Sequence, residues 1–145
     1  MTTLEAVRTA LGQLRDERRA QPIAFEQPPQ VLDYSIDPNL LRDSLFAAAS
    51  VIDEKASEIS LTVANVEVDA GDDLEGDGPL PGKYLGLTLR WPGTRTPKVP
   101  DALRDLLKDS KSYAYAVYRD GVASITVLFR DMGEAKHARS GGSRV

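Results

Sequence analysis

Cysteine is absent from the chain, which excludes disulfides and thiol nucleophiles and leaves any zinc site without sulfur ligands. Histidine occurs once, as His137, too little for a histidine metal cluster or a Ser–His–acid triad built from the body of the chain. Long apolar runs are missing as well. The longest, LFAAASVI at 45–52, is interrupted by Ser50 and falls far short of a membrane span. No Walker-type loop occurs, and the GDG at 76–78 lacks the strand, glycine-rich turn and helix that make a phosphate cradle. The first nineteen residues carry none of the three parts of a secretory signal, so a cytoplasmic location is expected.

What is present suits one compact domain. The chain has 145 residues, 41% of them hydrophobic and 28% charged, enough to bury about two-thirds of its unfolded surface. Its net charge of −4 is unevenly spread. Residues 1–30 balance, residues 31–90 are strongly acidic and residues 91–145 are basic. Such asymmetry is compatible with a mixed solvated surface and sets no partner by itself.

Residues 3–20 have the pattern of an amphipathic helix. Thr2 and Glu5 fit a capping box, and Leu4, Val7, Leu11 and Leu14 fall on one face. That face predicts packing on the domain's own sheet or on a partner. Pro22, Pro28 and Pro29 then interrupt, with IAF (23–25) and VLDYSI (31–36) as short strand candidates. A second helix is predicted over 37–58, with Asp37 as N-cap, Pro38 in the first turn and Leu41, Leu45, Ala48 and Ile52 as its stripe. In the strand that follows, Ile59, Leu61 and Val63 alternate on odd positions but Val66 and Val68 on even ones, which predicts a bulge near Ala64–Asn65.

KYLGLTLRW (83–91) places Leu85, Leu87, Leu89 and Trp91 on one strand face. The turn-rich PGTRTPKVP leads to a short helix with Leu103, Leu106 and Leu107 buried. Asp120–Gly121 between two β-rich runs predicts a hairpin with a type I′ turn. That turn puts Tyr113, Tyr115, Val117, Arg119, Ser124, Thr126, Leu128 and Arg130 on one face of the pair. The expected fold class is therefore α+β, an antiparallel sheet with helices on one face, built from helix–strand–strand units used roughly twice. Residues 1–132 are expected to form the domain, with 1–30 as its N-terminal helix and proline-rich connector, and 133–145 to form a flexible polar tail.

Three surfaces are candidates for function. Asp73, Glu75, Asp77 and Gly78 match the first positions of an EF-hand loop, but Tyr84 stands where calcium needs a bidentate acid and a strand follows. A solvated acidic loop is the expectation, with Asp73, Glu75 and Asp77 as weak metal ligands. KSYAYAVY (111–118) resembles the RNA-recognition-motif signature through Lys111, Tyr113, Ala114, Tyr115 and Tyr118. The resemblance implies base stacking on the tyrosines with phosphates near Lys111, Arg119 and Arg130. A helix should follow that motif, whereas this strand turns straight back. Carboxylate pairs such as Asp33 with Asp37, or Asp53 with Glu54, could serve acid–base chemistry but equally cap helices.

Catalytic equipment is thin, so the leading expectation is a non-catalytic protein-binding module: an adaptor, assembly factor, immunity-type inhibitor or phage or secretion-system component. It would use the tyrosine face, the Leu4–Val7–Leu11–Leu14 helix face or the acidic loop. Single-stranded nucleic-acid binding and a small carboxylate–tyrosine enzyme are the alternatives. No cofactor and no membrane association are expected. The partner expected first is another protein, then a second copy of the chain, then nucleic acid.

Overall fold

The computed structural model describes residues 2–69 and 79–133. In chain order these form α1 (Thr3–Glu17), β1 (Ile23–Glu26), α2 (Pro38–Ala49), β2 (Ile59–Val68), β3 (Gly82–Pro92), α3 (Asp101–Leu107) with a 3₁₀ turn (Lys108–Ser110), β4 (Tyr113–Arg119) and β5 (Val122–Arg130). One five-stranded sheet results, in the order β1-β2-β3-β5-β4. It is antiparallel except at its edge, where β1 runs parallel to β2. The helix–strand–strand unit occurs twice, as α2-β2-β3 and α3-β4-β5, and α1-β1 is a shortened third.

The caps predicted from sequence start both long helices. Thr2 Oγ1 accepts from Glu5 N, and Asp37 Oδ1 accepts from Asn39 N at 2.9 Å, each satisfying an N–H that the first helical turn leaves without a partner. The central strand β3 pairs Leu89 with Leu61 and Ile125, and Leu87 with Val63 and Val127, so that all these side chains leave the same face of the sheet. Leu41, Leu45, Ala48 and Ala49 of α2, Val7, Leu11 and Leu14 of α1, and Leu103 and Leu107 of α3 bury that face in one continuous core. The architecture is a two-layer α+β sandwich. None of the described helices is long and apolar enough to cross a membrane.

Of the two expectations for the α1 stripe, packing within the domain is the one observed: Val7, Leu11 and Leu14 are fully buried in its core, because α1 packs beside α2. Two other expectations need correction. The expected bulge is absent. β2 pairs with β3 in an unbroken register from Ser60↔Arg90 to Val68↔Gly82. The change of phase arises because Ile59, Leu61 and Val63 face the helices while Val66 and Val68 point to the opposite face, where Val66 lies across from the buried Tyr84. Both faces of β2 are apolar, at different points along it.

VLDYSI (31–36) is not a strand either. Side chains, rather than a neighbouring strand, take its backbone groups. Leu32 N donates to Asn65 Oδ1, Tyr34 N to Thr3 Oγ1 at 2.7 Å, and Ser35 N to Asp131 Oδ1 at 2.9 Å. In return, Asp33 Oδ1 accepts from Thr3 N and the Tyr34 hydroxyl donates to Asn65 Oδ1 at 2.9 Å. These bonds pin the connector to α1, β2 and the end of β5. Polar partners for these groups stand in for a ladder.

Two outcomes follow. Leu45→Ala should lower unfolding stability by about 2–5 kcal/mol by opening a cavity, whereas the exposed Leu32→Ala should stay within about 0.5 kcal/mol, both read by urea unfolding. Burial, reinforced by the nearby Asp131 carboxylate, holds the Tyr34 phenol above its ordinary value. The unfolded phenol then loses its proton at lower pH than the folded one. This contribution is complete below pH about 10 and is lost as pH rises through the folded value. Wild type should therefore lose more stability than Tyr34→Phe between neutral pH and pH about 11, with equal slopes ruling this out.

Candidate functional site

At the end of the sheet where β2 begins and β3 ends, two clefts meet at the side chain of Trp91, the only tryptophan in the chain. The larger, about 640 Å³, is mostly apolar and runs past Pro22, Ile23, Ile59, Arg90, Pro92 and Val122. The smaller, about 270 Å³, lies on the helix side between the segment after α2 and the β3–α3 connection. Val51, Trp91, Pro97 and Ala123 give it apolar walls, and Asp53, Thr94 and Arg95 supply its polar groups. A carboxylate, a hydroxyl and a guanidinium beside an indole are the ingredients for an anionic ligand with an aromatic part.

Local structure explains how these groups come together. Leu89 and Trp91 carry β3 toward its end, and Pro92–Gly93 turns the chain off the sheet. Gly93 N donates to Gly121 O at 3.0 Å, tying this corner to the β4–β5 turn. A Cβ on Gly93 would sit 2.9 Å from the Ala123 Cβ, closer than carbon atoms pack, so only glycine lets the connection hug the sheet. Asp53 is fixed from the other side, its Oδ1 accepting from Lys55 N at 2.9 Å.

The loop holding Asp53 is clamped by Gln21. The Gln21 side chain is buried, and its Nε2 points at the carbonyl oxygens of Asp53, Glu54 and Ala56 at 2.8, 3.0 and 3.2 Å. Arg18 completes the clamp, donating to Gln21 Oε1 and reaching toward Ala49 O at the end of α2. The connection after α1 thus sets the floor of a cleft more than thirty residues away in sequence. An amide with two hydrogens among three carbonyls is the right chemistry. In a carboxylate, the oxygen standing in place of Nε2 would face only acceptors.

Of the residues singled out from sequence, Asp53 lies in the smaller cleft, and the others are placed elsewhere. Asp73, Glu75 and Asp77 lie outside the described residues, as does the tail from 134 onward. Among the described residues, no group of three or more His, Asp or Glu side chains could hold a metal ion. Tyr113 and Tyr115 do share the helix-free face of β4, with ring centroids 6.1 Å apart. The cations do not gather around them. Arg119 stands at the hairpin turn near Asp120, Arg130 Nη2 donates to Pro81 O, and Lys111 occupies a left-handed position before β4. The sequence reading missed Arg95, Thr94 and Trp91 as a group, although a lone tryptophan ending a strand before a Pro-Gly turn was the available signal.

No family model matches the chain, and no curated protein sequence matches it. Solved structures do. The nucleotide-free catalytic domain of the histidine kinase ThkA superposes with a TM-score of 0.60 at 10% identity, covering 90% of this chain and 93% of that one. The Acinetobacter baumannii histidine kinase AdeS gives 0.61 at 10% identity, over 90% of this chain and 66% of that one. The mycobacterial sensor histidine kinase MprB gives 0.54 at 12% identity, over 90% and 96%. The fold is that of histidine kinase catalytic domains.

This overturns the expectation of a non-catalytic protein-binding module. Nine-tenths of the chain follows the architecture of a histidine kinase catalytic domain, and Val7, Leu11 and Leu14 of the candidate helix face are core. The tyrosine face also lacks the paired aromatic rows that the nucleic-acid resemblance implies. β4 is an edge strand whose neighbour β5 offers Ser124, Thr126 and Leu128 on the tyrosine face, not a second row of aromatics.

The clamp yields a direct check. Gln21→Ala should cost about 1–3 kcal/mol by leaving buried carbonyls without a donor. Gln21→Glu should cost more, since its carboxylate adds repulsion. Equal melting temperatures for Gln21→Ala and wild type would show that water replaces the amide without loss.

Proposed function

We propose that this chain is a nucleotide-binding domain of the histidine kinase catalytic type, and that its ligand occupies the cleft bounded by Asp53, Trp91, Thr94 and Arg95. The observation that carries the reading is the shared architecture along nine-tenths of the chain with a histidine kinase catalytic domain described in nucleotide-free form. The chemistry of the cleft supports it. Arg95 is a fixed positive charge suited to phosphate oxygens, and the Thr94 hydroxyl can donate to the same group. The indole of Trp91 and the walls from Val51 and Pro97 suit a base.

A magnesium ion accompanying a nucleotide is held largely by phosphates and water with one or two protein carboxylates. The donor set fits that pattern, since Asp53 is the acid in the cleft. The chain's own part is binding and orientation: Gln21 fixes the Asp53 loop, and Gly93 brings Thr94 and Arg95 against the sheet. The bound metal would neutralise phosphate charge.

Because Trp91 is the sole tryptophan, its fluorescence reports on this cleft without labelling. Titration with magnesium ATP and magnesium ADP should give a saturable change, and Arg95→Ala should weaken it about tenfold or more, the loss of a charged hydrogen bond. At a hundredfold excess over Kd the folded state should gain about 2.7 kcal/mol, visible as a higher melting temperature. A flat titration into the millimolar range, with no thermal shift, would overturn the assignment.

A further inference from the structure

The two edges of the sheet are unlike. β1 is four residues long, with Pro22 before it and Pro28 and Pro29 soon after, and proline blunts an edge because it offers no N–H. β4 has seven residues, Tyr113–Arg119, with no proline, no inserted residue and no charge before its last position. Tyr115, Val117 and Tyr118 are each about two-fifths exposed. Strands of this kind are templates for further pairing.

The hairpin fixes which backbone groups are free. Arg119↔Val122 flanks the two-residue turn, where Asp120 and Gly121 have φ of 52° and 82°. The residues flanking such a turn exchange hydrogen bonds, and hydrogen-bonded pairs then alternate along the ladder. Tyr113, Tyr115, Val117 and Arg119 therefore bond inward to β5. The N–H and C=O groups of Ala114, Ala116 and Tyr118 point outward, away from the sheet.

That outward set is self-complementary. We propose that two copies of this chain pair antiparallel through β4, about a two-fold axis at Ala116, to make one continuous sheet. Ala116 then bonds to the partner's Ala116, and Ala114 to the partner's Tyr118, using every free group of the strand. On the helix-free face, Tyr115 falls beside the partner's Val117 and Tyr113 beside the partner's Arg119. Both are non-hydrogen-bonded pairs, in which side chains come closest. The first joins apolar surface exposed on the monomer. The second sets a guanidinium against a tyrosine ring. Outside the strand, Lys111 approaches the partner's Asp120, so the rim charges are opposite in sign. A shift of two residues would break each of these matches. The proposal is independent of nucleotide binding, because β4 does not line the Trp91 cleft.

Sedimentation velocity on the full chain over a range of concentrations tests it, with two kinds of variant. Ala116→Pro removes an outward N–H, and Tyr115→Lys places an ammonium beside the partner's Val117. Both should sediment as monomers where wild type is dimeric, and a wild-type circular dichroism spectrum will establish that each is folded. With no native cysteine, Ala116→Cys supplies a unique cross-link, since hydrogen-bonded partners lie about 5.5 Å apart at Cα, within disulfide reach. Mild oxidation should yield covalent dimer for Ala116→Cys and not for Ala24→Cys on the guarded β1 edge. A wild type that stays monomeric to about 1 mM would overturn the proposal. So would a dimer that survives folded Tyr115→Lys with no cross-link at 116.

Discussion

The row Leu85, Leu87, Leu89 and Trp91 along β3 is the constraint on which the structure depends. β3 is the middle strand, so its apolar row is flanked by Leu61 and Val63 on one side and by Ile125 and Val127 on the other. A surface of that width cannot stay in water, and three helices are drawn over it. α2 lies nearest its centre, and α1 and α3 cover what α2 leaves bare. Strand order, helix placement and the burial of α1 follow from covering one patch.

The cleft is a by-product of how that cover ends. α2 stops at Ala49, and Val51 and Asp53 then continue past the sheet's end. β3 runs on to Pro92 before the chain leaves the sheet. The space between these two departures is bounded by the last residue of the apolar row, Trp91, and by the polar residues of both connections. Polar groups concentrate there because connections must keep their backbone hydrated or capped. The Gln21 clamp resolves the same problem for the Asp53 loop from within the fold. Stability and site geometry therefore share residues, and Gln21, in the connection after α1, shapes the smaller cleft without lining it.

Likeness to histidine kinase catalytic domains at 10–13% identity fits this picture. A sheet with alternating faces and three covering helices tolerates almost any apolar side chain of suitable size inside and any polar one outside. Architecture therefore persists after residue identity has gone.

Much of the fold was legible in local patterns. Capping by Thr2 and Asp37, the α2 stripe, the Asp120–Gly121 turn and the facing of β3 and β5 each rest on residues close in sequence, where backbone sterics and periodicity decide the outcome. The errors share one cause. The connector at 31–36 has strand-like residues, but Thr3, Asn65 and Asp131 take its hydrogen bonds. Val66 and Val68 seemed to need a bulge because the apolar patch on the second sheet face comes from Tyr84 and Leu128 on neighbouring strands. The candidate site was hidden for the same reason. Asp53 lies in the segment after α2, whereas Trp91 ends β3 and Arg95 follows in the next connection, so nothing local in sequence joins the acid to the other two. The sequence by itself determined where helices and hairpin begin and end, since those are contests between adjacent groups. Only the tertiary structure decided which face of each element is core, which polar groups pin a connector and which distant residues share a cleft. Those outcomes depend on what lies across space when water is excluded.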